Sequence, residues 1–384
     1  MLFQFAKTYQ QTGSHAKAVA RAEESLAIRT RLANYDRLKT APTDSEFIPD
    51  DLRWELSLSL ELMGDLYRAE TKVQDARTCF EDSLSIRLLL AAKSPKNDDW
   101  AQGLSFLYVR IGDLDMDVDL AAAQKNYEKS LAIAAEFFRR DTEVIRWQRE
   151  LSWGFQKIGG VRMRRGDLEK KGGNLAATKG EFSAALDAYA SNLCLRRRMA
   201  ERTPNDNQFK RDVSYALERI GLAKRELGDP AGAEDSYFEA LAIRRALLRN
   251  DPDDARYQDD VATSLQRIGD YYLNVPDPEL ALAFYEAALD VRLQLQFMMM
   301  KEDKRAQQDV DTARKKVETV RNKLGERGKV EAFSGEGWRI RVRAAEDAVA
   351  KRRNPLALDT TACWATMMAT TERIAGPTHT AATK

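Results

Sequence analysis

The sequence predicts an all-α protein, a solenoid of stacked helical hairpins. Apolar residues recur at helical spacing on both sides of Gly228-Asp229-Pro230, as expected for two amphipathic helices joined by a short turn. The same pattern returns along the chain, most often with a step of 48 residues (241−193 and 289−241). Self-similarity at a fixed period indicates repeated supersecondary units that stack on one another. No segment shows a convincing strand pattern.

The unit is clearest in residues 209–249. Gly228 can adopt the left-handed conformation that ends a helix, and Asp229 can cap the next one. A glycine recurs in the first helix of each unit, at Gly64, Gly112, Gly159, Gly221 and Gly269. A leucine recurs in the second helix, at Leu26, Leu84, Leu131, Leu193, Leu241 and Leu289. The step from glycine to leucine is 20 residues in the regular units (241−221) but 34 in the fourth (193−159), which indicates an insertion.

Small and aromatic residues recur in this unit at a characteristic spacing. Gly221 in the first helix is followed by Ala233, Tyr237 and Ala240 in the second. The last unit matches at Gly269, Ala281, Tyr285 and Ala288. With this pattern, residues 1–300 resemble the tetratricopeptide repeat (TPR) family, in a long-helix form common in bacterial proteins. The resemblance implies a right-handed α-solenoid, a TPR-like superhelix, whose first helices line a concave groove that binds a protein or peptide. The period exceeds the usual 34 residues by about 14.

Three regions are expected along the chain. Residues 1–300 form the repeat array, with a truncated first repeat that suggests a fragment of a longer protein. Residues 301–325 form a capping helix with one apolar stripe, and residues 326–384 form a mostly disordered tail with local helix. Residues 36–51 are predicted to be a long loop, and the insertion at 167–180 a flexible excursion or a weak extra turn.

Bulk composition excludes several classes of function. Lys+Arg number 61 and Asp+Glu 60, a balance that argues against a dedicated nucleic-acid or membrane-surface binder. Neither a signal peptide nor a membrane-spanning apolar run is evident. Three cysteines lie far apart, at Cys79, Cys194 and Cys363, so a disulfide is not expected, a reducing cytoplasmic location is favoured, and Cys194 is interpreted as a small buried thiol.

Catalytic chemistry is not supported by the sequence. The two histidines, His15 and His379, lie at opposite ends of the chain, without cysteine or acidic neighbours at metal-ligand spacing. A serine or cysteine triad would have to use one of them. We therefore expect a non-catalytic protein with no cofactor and no metal.

A basic row is the strongest candidate for a binding surface. Two residues before the repeated glycine, the first helices carry Arg110, Lys157, Arg219 and Arg267. If these side chains line the groove, they favour an acidic protein segment. Two structural alternatives remain open: local pairing of Arg110 with Asp113 and of Arg267 with Asp270, or pairing between neighbouring repeats.

Two aromatic residues accompany the row. Trp153 and Tyr215 lie six residues before the repeated glycine and could be exposed anchors of an interface or packing residues between helices. The leading hypothesis is a scaffold that binds a protein segment in its groove. The alternative is a sensor or regulatory arm of a larger signalling ATPase or protease. The residues of the two-carboxylate clamp of chaperone-binding TPR domains are absent.

Overall fold

The computed structural model describes residues 1–32, 49–275, 277–298, 304–325, 337–352 and 360–375. The regular structure in these residues is helical, which confirms the predicted all-α solenoid class. The helices are α1 (Leu2–Gln11), α2 (His15–Leu32), α3 (Asp50–Ala69), α4 (Val73–Lys93), α5 (Asp98–Asp115), α6 (Leu120–Arg140), α7 (Ile145–Lys171), α8 (Leu175–Arg202), α9 (Asn207–Glu226), α10 (Pro230–Asn250), α11 (Ala255–Asn274), α12 (Pro278–Met298), α13 (Lys304–Gly325), α14 (Gly337–Arg352) and α15 (Thr360–Ala375).

Helices that follow one another pack as hairpins. Examples are α3 with α4 and α5 with α6, and then α9 with α10 and α11 with α12; adjacent hairpins meet through α4 with α5 and through α10 with α11. The contacts divide the chain into two compact units, residues 1–161 with 371–384 and residues 162–370. Most of the predicted loop at 36–51 lies outside the described residues, and α3 begins at Asp50.

The turn at Gly228 forms as predicted. Its φ is +79°, the left-handed conformation that glycine adopts without steric cost. The Asp229 carboxylate accepts a hydrogen bond from the Gly232 amide, 2.9 Å, and Pro230 occupies the start of α10. The end of α9 and the start of α10 are therefore only a few residues apart, which keeps the two helices in contact.

In five hairpins a glycine lies beneath an aromatic ring of the partner helix. An added Cβ would collide with the ring in each of these pairs: Gly64 with Phe80, Gly112 with Tyr127, Gly166 with Phe182, Gly221 with Tyr237, and Gly269 with Tyr285. In the fourth hairpin Gly166 lies beneath Phe182, and Gly159, the glycine predicted from spacing, is buried seven residues earlier on the same face of α7. The missing side chain lets the helices approach closely.

The insertion at 167–180 is helical on both sides of a tight turn, so the prediction of a flexible excursion or a weak extra turn is wrong. α7 is seven residues longer than α9 (27−20), and α8 is seven longer than α10 (28−21). The turn lies at Gly172 and Gly173, the latter with a φ of +77°, and Asn174 caps α8. Seven residues make almost two helical turns, so each apolar face keeps its direction.

A buried arginine joins neighbouring hairpins. Arg244 in α10 is fully buried; it donates to Glu218 of α9 at 2.7 Å and to Ser264 of α11 at 2.8 Å. It also donates to the backbone carbonyl of Asp260, 2.9 Å. The arginine therefore connects both helices of its own hairpin to the first helix of the next.

The same position recurs in the other hairpins. Arg87 is 1% exposed and donates to Glu61, Ser57 and the Gly103 carbonyl, and burial lowers its pKa. Arg196 and Arg292 are also buried and paired with carboxylates. In the third hairpin Ala134 takes this place, and there Gly154 approaches Leu131 closely instead.

Helices α13 and α14 lie on this framework within the second unit. Val317, Val320 and Leu324 of α13 join the core that includes α12. Val342 and Val349 of α14 join the same core, and α14 overlaps the local helix predicted within the tail. Seven residues apart, these two valines share one helix face. The rest of the predicted tail, at 326–336, 353–359 and 376–384, lies outside the described residues.

Cys194 of α8 forms a disulfide with Cys363 of α15, 169 residues away in sequence. The prediction of no disulfide is therefore wrong, and so is that of a free thiol at Cys194. Beside the bond, the Arg198 guanidinium lies 4.3 Å from the centroid of Trp364. The third cysteine, Cys79, is not part of a disulfide.

Thiol counting tests this arrangement. The chain has three cysteines and one disulfide, so we expect one reactive thiol (3−2=1) after unfolding without reductant, and three after reduction. Cys363→Ser should give two without reductant. Three equivalents from the unreduced, unfolded wild type would contradict the bond.

Candidate protein-binding surface

The basic row is engaged mainly with the preceding hairpins. Arg110 donates to both carboxylate oxygens of Asp65, at 2.9 and 3.1 Å, and lies 3.0 Å from Glu61. Lys157 donates to Asp113 at 2.6 Å. Each cation in this unit therefore bridges to an acid of the hairpin before it, instead of pairing locally.

The second unit repeats this arrangement. Arg267 of α11 forms an ion pair with Glu218 of α9, 3.2 Å, and not with the nearby Asp270 predicted from local spacing. Asp270 instead pairs with Lys316 of the capping helix. These contacts form a ladder between hairpins, so Arg110, Lys157 and Arg267 have structural partners.

Two of the helix-packing tyrosines reinforce the ladder. Tyr127 donates to Asp113 and Tyr285 donates to Asp270, both at 2.6 Å. Burial and these hydrogen bonds raise the pKa of both phenols. Asp113 and Asp270 therefore each accept one hydrogen bond from a tyrosine of their own hairpin and one from a lysine that follows it in the chain.

Arg219 differs from the other three cations. Its side chain is exposed, and it makes neither a hydrogen bond nor an ion pair with any residue that the structure describes. Its guanidinium is therefore available to a carboxylate from solution. In the second unit it is the member of the basic row that fits the groove hypothesis.

Tyr215 is a packing residue between helices and not an exposed anchor. Its hydroxyl donates to Asp260 at 2.7 Å, and the guanidinium of Arg244 lies 4.6 Å from its ring centroid. Burial and the bond to Asp260 raise the pKa of Tyr215 to about 12. The ring and the hydroxyl are both used inside the hairpin stack.

Trp153 remains accessible. It is 47% exposed, and its ring meets Phe106 edge-on, with centroids 6.2 Å apart. An indole held on one side and open on the other has the character of an interface anchor, because a large apolar surface is presented at low entropic cost. It lies in the first unit, on α7.

Two neighbours extend this surface. Arg149 lies four residues before Trp153 and Gly160 seven after it, so all three share one face of α7. We call Arg149, Trp153 and Gly160 the α7 stripe. Arg149 is exposed and makes neither a hydrogen bond nor an ion pair with the residues of the described part of the chain.

Gly160 has open space above it. A Cβ built there would meet no atom within 4 Å, unlike the glycines beneath aromatic rings. Glycine inside a helix costs about 1 kcal/mol relative to alanine, and here no packing contact requires it. Repeat spacing selects the neighbouring Gly159, so Gly160 was not predicted, although the mid-helix Gly-Gly pair was the available signal.

The charge of the stripe is positive. The sole carboxylate between residues 149 and 160 is Glu150, which is buried, 4% exposed, and accepts a hydrogen bond from Gln102 at 2.9 Å. Burial raises the pKa of Glu150. Arg149 attracts Glu150 electrostatically but forms no ion pair with it, so its guanidinium stays open to a carboxylate from solution.

The described residues contain neither a metal-ligand cluster nor a membrane-spanning helix. Among the residues that the structure describes, no three His, Cys, Asp or Glu side chains come together as metal ligands. None of the described helices combines the length and the apolar character needed to cross a bilayer. His379 lies outside the described residues.

Comparison with known proteins gives structural likeness only. No family model matches the chain, and no curated protein matches it. BtubC (BKLC) from P. vanneervenii is 18% identical, with a TM-score of 0.46, over 73% of this chain and 92% of that one. The TPR2AB domain of yeast Sti1, solved with pHSP90, is 14% identical, with a TM-score of 0.23, over 81% and 96%. Yeast Tom70 is 10% identical, with a TM-score of 0.18, over 89% and 91%. The chain is a helical-repeat protein by its own helices, and one of these structural neighbours is a TPR domain.

Proposed function

We propose that this protein is a non-catalytic scaffold that binds a segment of another protein along the first helices of its hairpins. The observation that carries the proposal is the α7 stripe, where an exposed tryptophan lies between an unpaired arginine and an open glycine. Tryptophan and arginine dominate the binding energy of many protein interfaces.

The chemistry of the stripe defines the segment. Arg149 supplies a guanidinium without an acidic partner, which favours a carboxylate on the bound segment. Trp153 supplies an apolar surface for an aliphatic or aromatic side chain. Gly160 leaves room for the main chain of the segment to approach the helix backbone. An acidic segment with an apolar anchor satisfies all three.

Selection of peptides provides the test. A phage-displayed library of random peptides is selected on the full chain, and the best peptide is labelled and titrated by fluorescence anisotropy. We expect acidic peptides with an apolar residue, and at least about tenfold weaker binding to Trp153→Ala and Arg149→Glu. Gly160→Ala should also weaken binding, although the alanine should raise helix stability by about 0.5–1 kcal/mol.

Matched variants separate binding from folding. Lys125→Glu reverses an exposed charge on α6, and Gly180→Ala fills an open mid-helix glycine on α8; both should leave the affinity unchanged. Enrichment of no peptide would contradict the scaffold. Peptides that bind the three stripe variants as well as wild type would place the interface elsewhere.

Arg219 tests the second unit in the same titration. Arg219→Glu should weaken an acidic peptide that reaches α9, with Lys179→Glu as the control on α8. An exposed cation is worth about 0.2–1 kcal/mol, and salt screens it, so the loss should shrink at high ionic strength.

A further inference from the structure

A cavity of about 270 Å³ lies between α10 and α14 within the second unit. α14 packs more extensively on α12 than on α10, which leaves space over α10. Neither the scaffold proposal nor the hairpin packing uses this space. Its volume is just below the usual range for small-molecule sites, roughly 300–1,000 Å³, so it suits a small metabolite better than a peptide.

The inner side of the cavity is apolar and rigid. Phe238 and Leu241 of α10 and Val349 of α14 line it, and all three side chains are at least 95% buried. Phe238 is held by an edge contact with Phe284, with ring centroids 5.7 Å apart. A branched aliphatic or aromatic group would find a preformed surface here.

The outer side carries balanced charge. Arg245 of α10 forms an ion pair with Glu346 of α14. Arg249 and Asp347 border the same cavity; both are exposed, and neither forms an ion pair with a residue in the part of the chain that the structure describes. The lining therefore offers one additional cation and one additional carboxylate, beside a pair that is already neutral.

We propose that this cavity binds a free α-amino acid with a branched aliphatic or aromatic side chain. Its carboxylate pairs with Arg249, its ammonium pairs with Asp347, and its side chain packs on Phe238, Leu241 and Val349. A ligand with one charge would leave Arg249 or Asp347 without a partner, whereas a zwitterion satisfies both. The bound amino acid would connect α14 to α10 and strengthen the docking of the C-terminal helix.

Calorimetric titration of the full chain tests the proposal, with L-leucine and L-phenylalanine as probes. We expect one of them to bind. Two analogues of leucine remove one charge each: 4-methylpentanoate lacks the ammonium, and 3-methylbutylamine lacks the carboxylate. Both should bind at least tenfold more weakly than leucine, and glycine, which has no side chain, should not bind.

Variants locate the site. Arg249→Gln and Asp347→Asn should each weaken leucine at least tenfold, and Ala350→Trp should block the cavity, while Lys179→Glu should have no effect. Hydrogen exchange of α14 checks that each variant keeps this helix docked, and the analogues test the wild type without any substitution. Absence of binding by both amino acids, or equal binding of leucine and 4-methylpentanoate, would overturn the proposal. So would binding that both charge variants leave intact with α14 still docked.

Discussion

Replacing Arg244 by leucine is expected to lower the free energy of unfolding by about 3–5 kcal/mol, because it leaves Glu218 as a buried charge without its main partner. Glu218 is 5% exposed, and Arg244 lies 2.7 Å from it, while Arg267 lies farther away at 3.2 Å. The variant also releases Ser264 and the Asp260 carbonyl from the interface with α11.

Urea unfolding followed by circular dichroism measures this loss. Arg249→Leu is the control, since this arginine is exposed on the same helix and should change stability by no more than about 0.5 kcal/mol. Adding Glu218→Gln to Arg244→Leu should recover part of the loss, because it removes the unpaired charge. A loss below about 1 kcal/mol for Arg244→Leu would mean that the arginine does not hold the hairpins together.

Gly166→Ala and Gly180→Ala are expected to change stability in opposite directions. At Gly166 a Cβ would lie under 3.0 Å from three carbons of Phe182, whose side chain is 1% exposed and has no room to move. Overpacking of this kind costs roughly 1–3 kcal/mol. At Gly180 nothing lies within 4 Å, so alanine should stabilise α8 by up to about 1 kcal/mol.

Thermal unfolding of the two variants beside wild type gives the measurement. Both substitutions add the same methyl group to helices of one hairpin, so their difference reports the packing against Phe182. Equal melting temperatures would show that Gly166 is not a packing glycine of the fourth hairpin.

Much of the fold could be predicted because its repeat is local. The pairing of Gly221 with Tyr237 spans 16 residues (237−221), which lies within a single hairpin and can be read from spacing. In the fourth hairpin the spacing identifies Gly159 but not Gly166, for a physical reason. Gly159 and Gly166 are seven residues apart and share a helix face, and Gly159 follows an isoleucine, as Gly221 does.

The parts that could not be predicted depend on neighbouring hairpins. Sequence spacing marks Arg244 as a repeated residue, but the partners that bury it come from α9 and α11. The basic row was recognised as a row, yet its acids lie about 45 residues upstream (110−65 and 157−113). The disulfide requires α15, near the far end of the chain, to lie beside α8. The periodicity of the repeats does not predict this contact.

The lengthened fourth hairpin implies a rule for how such a chain can change in evolution. A single residue inserted into one helix rotates everything beyond it by about 100° and turns the buried face toward water. Seven residues rotate it by about 700°, only some 20° short of two full turns. A helix of this fold can therefore lengthen only by insertions that complete nearly whole helical turns. Both helices of the hairpin must lengthen together. The smallest such step in this chain is fourteen added residues, seven in α7 and seven in α8.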